Sequence, residues 1–165
     1  MNVKQAVALI RKHRPTKPQE FTAAGVPLEK KLEGHGVFRE VAKVKGLPLV
    51  VKFPLAENNK KTGKLSYRSG KMHSTVEVRK IEELSKLRWL RPHLPQVHYH
   101  DRKSGVQVVG YCKEFDDDID TLRAMGRLLT KVIAKTLGVT VSDIHEDNVR
   151  KGHTVKEAIL IDLGY

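Results

Sequence analysis

Two acidic residues and an amide stand at intervals that suit one kind of chemistry. Asp143 and Asn148 lie five positions apart in Ser142-Asp143-Ile144-His145-Glu146-Asp147-Asn148-Val149, and Asp162-Leu163-Gly164 follows fourteen residues beyond Asn148. A carboxylate that can orient a hydroxyl, followed by an amide and a second carboxylate that can share a hard divalent cation, are the parts a phosphoryl-transfer centre needs. Alone, Asp143 reads equally well as a turn residue and Asp162 as the end of a strand. Glu146 and Asp147 read as exposed charges, and His145 as structural.

Upstream, Val50-Val51-Lys52-Phe53 places one lysine inside an otherwise apolar run. Burying an ammonium costs several kcal/mol unless an anion meets it, so Lys52 needs a carboxylate or a phosphate. The apolar stripe Val76, Ile81, Leu84, Leu87 and Leu90 predicts a helix from Ser74 to about Arg91, stopped by Pro92. Glu77 lies in the middle of that stripe, Glu83 nearer its edge, and Glu82 faces away. Facing favours Glu77, whose alternative role is the last member of a Ser74-x-x-Glu77 capping box. Glu83 stays open as the second candidate. Ahead of Lys52, Gly34-His35-Gly36 lets backbone N–H groups approach a phosphate, and Val41 follows five residues after the second glycine, where a β-branched side chain can cover an apolar base.

In this order the residues resemble the protein-kinase-like superfamily, and Asp143-Ile144-His145-Glu146-Asp147-Asn148 is close to the loop of its aminoglycoside phosphotransferase and atypical kinase branches. The resemblance covers roughly residues 28 to 164. It implies an α+β fold, with an antiparallel β-sheet N-lobe and a much reduced, mainly helical C-lobe. It further implies that Gly34, Gly36 and Val41 cover ATP, with Arg39 in place of the loop's third glycine. Lys52 then holds the α- and β-phosphates and pairs with Glu77 or, if the register is set from Trp89-Leu90 and Leu94-Pro95-Gln96-Val97, with Glu83. Asp143 is the implied catalytic acceptor of the hydroxyl proton, Asn148 and Asp162 are the implied Mg²⁺ ligands, and the segment Tyr111 to Glu114 borders the adenine. ATP and Mg²⁺ are the implied cofactors.

These residues need elements to position them. Val3, Ala6, Val7 and Ile10 predict a short amphipathic helix ahead of Pro15 and Pro18, an arm or lid over residues 1–20. Residues 28 to 53 read as a three-stranded meander, residues 55 to 72 as a long exposed loop, and Val97–His100 with Val106–Tyr111 as a hairpin turned at Lys103-Ser104-Gly105. His98 and His100 share a strand face, but no third metal ligand lies at suitable spacing. Acidic residues at 116–118 and 120 cap a predicted helix ending at Gly138, with Leu122, Met125, Leu128, Leu129, Val132, Ile133 and Thr136 on its buried face. One domain of residues 1–165 is expected, with 21–111 as N-lobe and 112–165 as a truncated C-lobe. The chain stops one residue past Asp162-Leu163-Gly164, which predicts a minimal kinase, completed by homodimerisation, or a degenerate nucleotide binder.

The bulk properties set outer limits. A chain of 165 residues can bury roughly 70% of its unfolded surface. No apolar run is long enough for a membrane helix and no secretory signal is recognisable, so a cytoplasmic location is expected. The single cysteine, Cys112, excludes an internal disulfide and a multi-cysteine zinc site. The net charge of +12 is uneven: residues 1–100 carry 21 basic and 8 acidic residues, whereas residues 101–165 are nearly balanced. That asymmetry suits nucleic acid, an acidic partner or polyphosphate as well as it suits a solvated surface. Three functions follow: a kinase acting on a hydroxyl of a protein or small molecule, an inactive nucleotide-binding or interaction module, and a basic nucleic-acid-binding protein.

Overall fold

The computed structural model describes residues 1–35, 39–58, 62–111, 124, 127–128, 131–132, 134–136, 138, 149–151 and 158–160, with backbone only for 30–35, 149–151 and 158–160. It is an α+β chain that divides into two units, residues 1–75 with 96–111 and residues 76–95 with 112–165.

The first unit is built on a five-stranded antiparallel sheet. Its strands are β1 (Leu28–His35), β2 (Arg39–Val44), β3 (Leu49–Pro54), β6 (Val97–His100) and β7 (Gln107–Gly110), in the order β1-β2-β3-β7-β6. Side chains alternate between the faces of a strand, and pairing fixes which residues share a face. Ala42 and Val44 on β2, Leu49, Val51 and Phe53 on β3, and Val108 on β7 form one apolar face. The opposite face carries Val41, Val50, Lys52, Gln107 and Val109. Strand β3 is buried along its length apart from Pro54, so it is the central strand of a sheet covered on both sides.

Two helices complete the apolar core. Helix α1 (Val3–His13) begins at a reciprocal cap, with the Asn2 side chain accepting from the Gln5 amide and Gln5 Oε1 accepting from the Asn2 amide, both at 2.9 Å. Its apolar stripe Ala6, Val7 and Ile10 is buried among sheet residues. The segment expected to be an arm or lid therefore belongs to the core, because the stripe has to be covered. Helix α2 (Pro18–Ala23) starts with proline at its first position and contributes Phe21, which meets Phe53 edge to face at 5.5 Å between ring centroids.

The segment expected to be a loop, residues 55 to 72, contains a small hairpin, β4 (Glu57–Asn58) paired with β5 (Leu65–Ser66). Helix α3 (Arg68–Leu84) then starts six residues earlier than the apolar pattern predicted, where Ser66 Oγ accepts the Arg68 amide at 3.3 Å. Ser74 thus lies inside the helix, and the proposed capping box with Glu77 does not form. The helix also ends earlier, at Leu84. Beyond it the chain turns through i→i+3 bonds such as Leu87 N–H to Leu84 C=O and Leu90 N–H to Leu87 C=O, reaching a 3₁₀ turn at Arg91–His93.

In the second unit, Val78, Ile81, Leu84, Leu90 and Leu94 are buried. Strands β8 (Val149–Lys151) and β9 (Ala158–Leu160) form a hairpin, and β9 packs near the 3₁₀ turn. The described residues between 124 and 136 are helical, and Gly138 has φ +63°, as a terminating glycine requires. Leu128, expected on that helix's buried face, is instead 62% exposed, and Thr136 is exposed as well.

The Phe21 ring is completely buried, so Phe21→Ala is expected to cost about 3–5 kcal/mol in urea denaturation. His98 on β6 gives a second expectation. Burial first, then the charge of Arg11, hold its imidazole below the ordinary value of roughly 6.5. On acidification the unfolded chain protonates first. The stability contributed by neutral His98 is therefore present above the unfolded value and lost as pH falls through the folded one. His98→Gln should flatten that part of the acid-induced loss, measured as urea midpoints across the range from about pH 7 to about pH 5.

Candidate functional site

Strand pairing brings Val41, Lys52 and Gln107 into one cross-strand row. Val41 on β2 is directly opposite Lys52 on β3, and Lys52 is directly opposite Gln107 on β7. Such neighbours have Cβ atoms about 4.5–5.5 Å apart, so an aliphatic side chain, an ammonium and an amide stand side by side on the face away from the apolar core. Lys52 is 9% exposed. At that burial its charge requires polar company, and it has interaction partners.

Gln107 was not anticipated, although the sequence carried a signal of the same kind as that of Lys52. It is a single polar residue in Val106-Gln107-Val108-Val109, and it is completely buried. Its Nε2 donates to the Ser74 carbonyl of α3 at 2.6 Å. Among the described residues its buried Oε1 has no hydrogen-bond partner, and neither has Ser74 Oγ. The amide therefore fastens the first half of α3 to the sheet at the level of Lys52. A buried acceptor left unsatisfied costs about 1–3 kcal/mol, which makes the tie expensive to build by chance.

The turn before β7 permits this approach. Asp101 accepts from the Lys103 and Ser104 amides and from the Ser104 hydroxyl, the last at 2.6 Å, and Gly105 N–H donates to the Asp101 carbonyl at 2.7 Å. Burial pushes the Asp101 carboxyl up, but the hydrogen bonds from Ser104 and Lys103, with Arg14 nearby, outweigh it and leave the carboxyl below its usual range. Gly105 has φ +79°, and a Cβ there would lie 2.8 Å from Pro54 Cγ and 2.9 Å from Lys71 Cα. Only glycine lets the hairpin come this close to the first turns of α3.

Burial separates the two glutamate candidates. Glu77 is 1% exposed and continues the buried stripe Ser74, Val78, Ile81 and Leu84 of α3, and it has an interaction partner. The Glu83 side chain is 48% exposed and faces Lys86 at 3.6 Å. Gly34 lies in β1, and Arg39, at the position of the third glycine, is buried at the start of β2. Gly36, Glu114, Asp143, Asn148 and Asp162 lie outside the described residues. Among the described residues no group of three or more His, Cys, Asp or Glu could hold a metal ion, and no helix is long and apolar enough to cross a membrane.

No family model matches this sequence, and no curated protein matches it. Among solved structures, the chain is similar to the apo form of PpkA-294, at 13% identity and a TM-score of 0.49 over 83% of this chain and 57% of that one. It is also similar to the Rio2 kinase from Chaetomium thermophilum in a complex with ADP, Mg²⁺ and phosphoaspartate, at 19% identity and a TM-score of 0.49 over 88% of this chain and 50% of that one. The chain thus spans 57% of the length of the first and half of the second. What those proteins bind is a property of those proteins.

Gly105→Ala is expected to destabilise the first unit by about 1–3 kcal/mol, through the collision with Lys71 backbone and the loss of an easy positive φ. Urea denaturation measures it, and a double substitution with Gln107→Leu should lose less than the sum of the two single changes, since both act on the same contact with α3.

Proposed function

We propose that the chain is an ATP- and Mg²⁺-dependent phosphotransferase that moves the γ-phosphoryl group to a hydroxyl of a protein or a small molecule. The observation that carries this reading is the buried Lys52 on the central strand, beside Val41. An ammonium held in a dry row next to an aliphatic side chain has the chemistry to meet nucleotide phosphates while the aliphatic side chain meets the base. The order Lys52, Asp143, Asn148, Asp162 along the chain supports the same reading.

In this reading Lys52 holds the α- and β-phosphates, and Glu77, the buried glutamate, is the carboxylate that keeps its ammonium oriented. Glu83 is the weaker candidate, because its exposed side chain already faces Lys86. Gly34 and Gly36 give the backbone of the β1–β2 turn its approach to phosphate, and Glu114 belongs to the segment bordering adenine. Asp143 orients the acceptor hydroxyl and takes its proton as the oxygen bonds to the γ-phosphorus and ADP departs. The oxygen donors of Asn148 and Asp162 suit Mg²⁺, which when bound neutralises charge on the phosphates.

Transfer from γ-radiolabelled ATP to the protein itself or to acidic and basic test proteins measures the activity. Lys52→Ala and Asp143→Asn are each expected to lower it by about 10²- to 10⁴-fold, and Asp162→Ala to abolish the Mg²⁺ dependence of ATP-induced thermal stabilisation. Stabilisation by ATP with no transfer would leave a nucleotide-binding module. No stabilisation and no transfer would end the nucleotide reading.

A further inference from the structure

A cationic surface lies where the end of α1 meets the turn between β6 and β7. Arg11, Lys12 and Arg14 close the helix, Lys17 follows, and Arg102 and Lys103 stand on the turn, all of them exposed. The two segments are joined. Arg11 Nη2 donates to the His98 carbonyl of β6 at 3.1 Å, and Arg14 lies close enough to Asp101 to act on its carboxyl. The flanking carboxylates are engaged locally: Glu20 accepts the Thr16 amide at 2.6 Å and the Lys17 amide at 3.2 Å, and Asp101 accepts from its own turn.

Cations at a helix C-terminus have an ordinary explanation in the helix dipole. That explanation covers neither the turn residues nor the conformation of Arg14. Arg14 sits at φ 48° and ψ 52°, and it is the one described non-glycine residue with positive φ. Pro15 disfavours a right-handed conformation there, but glycine would meet the same geometry without strain. An arginine kept in a conformation that favours glycine suggests that its guanidinium is used.

The composition of the surface indicates the partner. Among the described residues the exposed large apolar ones are Met1, Leu65, Tyr67, Met72, Trp89 and Leu128, and none of them neighbours these cations in sequence. A peptide ligand needs apolar anchors, and single-stranded nucleic acid needs aromatic platforms for its bases. A duplex presents a row of phosphates that arginine and lysine suffice to grip. We propose that the surface formed by Arg11, Lys12, Arg14, Lys17, Arg102 and Lys103 binds the phosphate backbone of double-stranded nucleic acid. This activity is independent of ATP and of Lys52.

The test uses the full chain with labelled RNA and DNA duplexes, polyglutamate as a competitor, and fluorescence anisotropy at increasing salt. Lys12→Glu/Arg102→Glu/Lys103→Glu should weaken duplex binding at least about a hundredfold at about 50 mM salt and lower the salt slope by on the order of two to three. The matched control Lys45→Glu/Lys64→Glu/Arg68→Glu, with the same change in net charge at other exposed sites, should fall far less. Arg14→Gly relieves the backbone strain, so its Tm should be no lower than that of the wild type while duplex affinity falls about three- to tenfold. Equal losses in the two triple variants, unchanged affinity in Arg14→Gly, displacement by polyglutamate at equal charge concentration, or absence of duplex binding by the wild type would each overturn the proposal.

Discussion

The first unit is arranged around one awkward charge. An ammonium on the central strand of a sheet covered on both faces is among the least favourable groups to bury, and the fold places Lys52 there. Everything near it must supply dipoles or opposite charge, or else exclude water without clashing. Val41 on one side and Gln107 on the other do the local part of this. With only apolar contacts, Lys52 would be a defect; it has interaction partners, which a charge at that burial requires.

The two faces of the sheet solve different problems. One is closed by α1 and α2 with aliphatic and aromatic side chains, and its cohesion is that of an ordinary core. The other has Lys52 and Gln107 among Val41, Val50 and Val109, and there a hydrogen bond to the Ser74 carbonyl joins helix to sheet. Apolar packing tolerates small slides, but a 2.6 Å hydrogen bond between two buried groups does not. The mixed face is therefore the one whose geometry is set most narrowly, and it is the face that bears the candidate site residues Val41 and Lys52.

Much of this was legible in the sequence because it depended on local pattern. The period-2 strands, the stripe of α1 and the anomalous lysine in Val50-Val51-Lys52-Phe53 all follow from neighbours along the chain. What was missed depended on neighbours across it. The start of α3 at Arg68 lies in a polar segment where apolar spacing has nothing to register, and the local bond there runs from the Arg68 amide to the Ser66 hydroxyl. Gln107 acquires meaning only through the register that sets it opposite Lys52. Leu128 fits a helical stripe by spacing and is exposed nonetheless, since periodicity gives an angle around a helix and not the width of what covers it. Glu77 and Glu83, nearly even on spacing, differ in burial, which spacing along the chain does not reveal.

The bond from Arg11 to the His98 carbonyl bears on solubility. Among the described residues strand β6 ends the sheet, and an end strand offers backbone groups to any other extended chain. A guanidinium laid on one of those carbonyls withdraws it from further pairing and sets a positive charge at the margin, where a second sheet would have to dock. The first helix thus guards the protein against its own copies: a chain trimmed of α1 would lose core packing and, in the same cut, uncover a template for stacking strand upon strand.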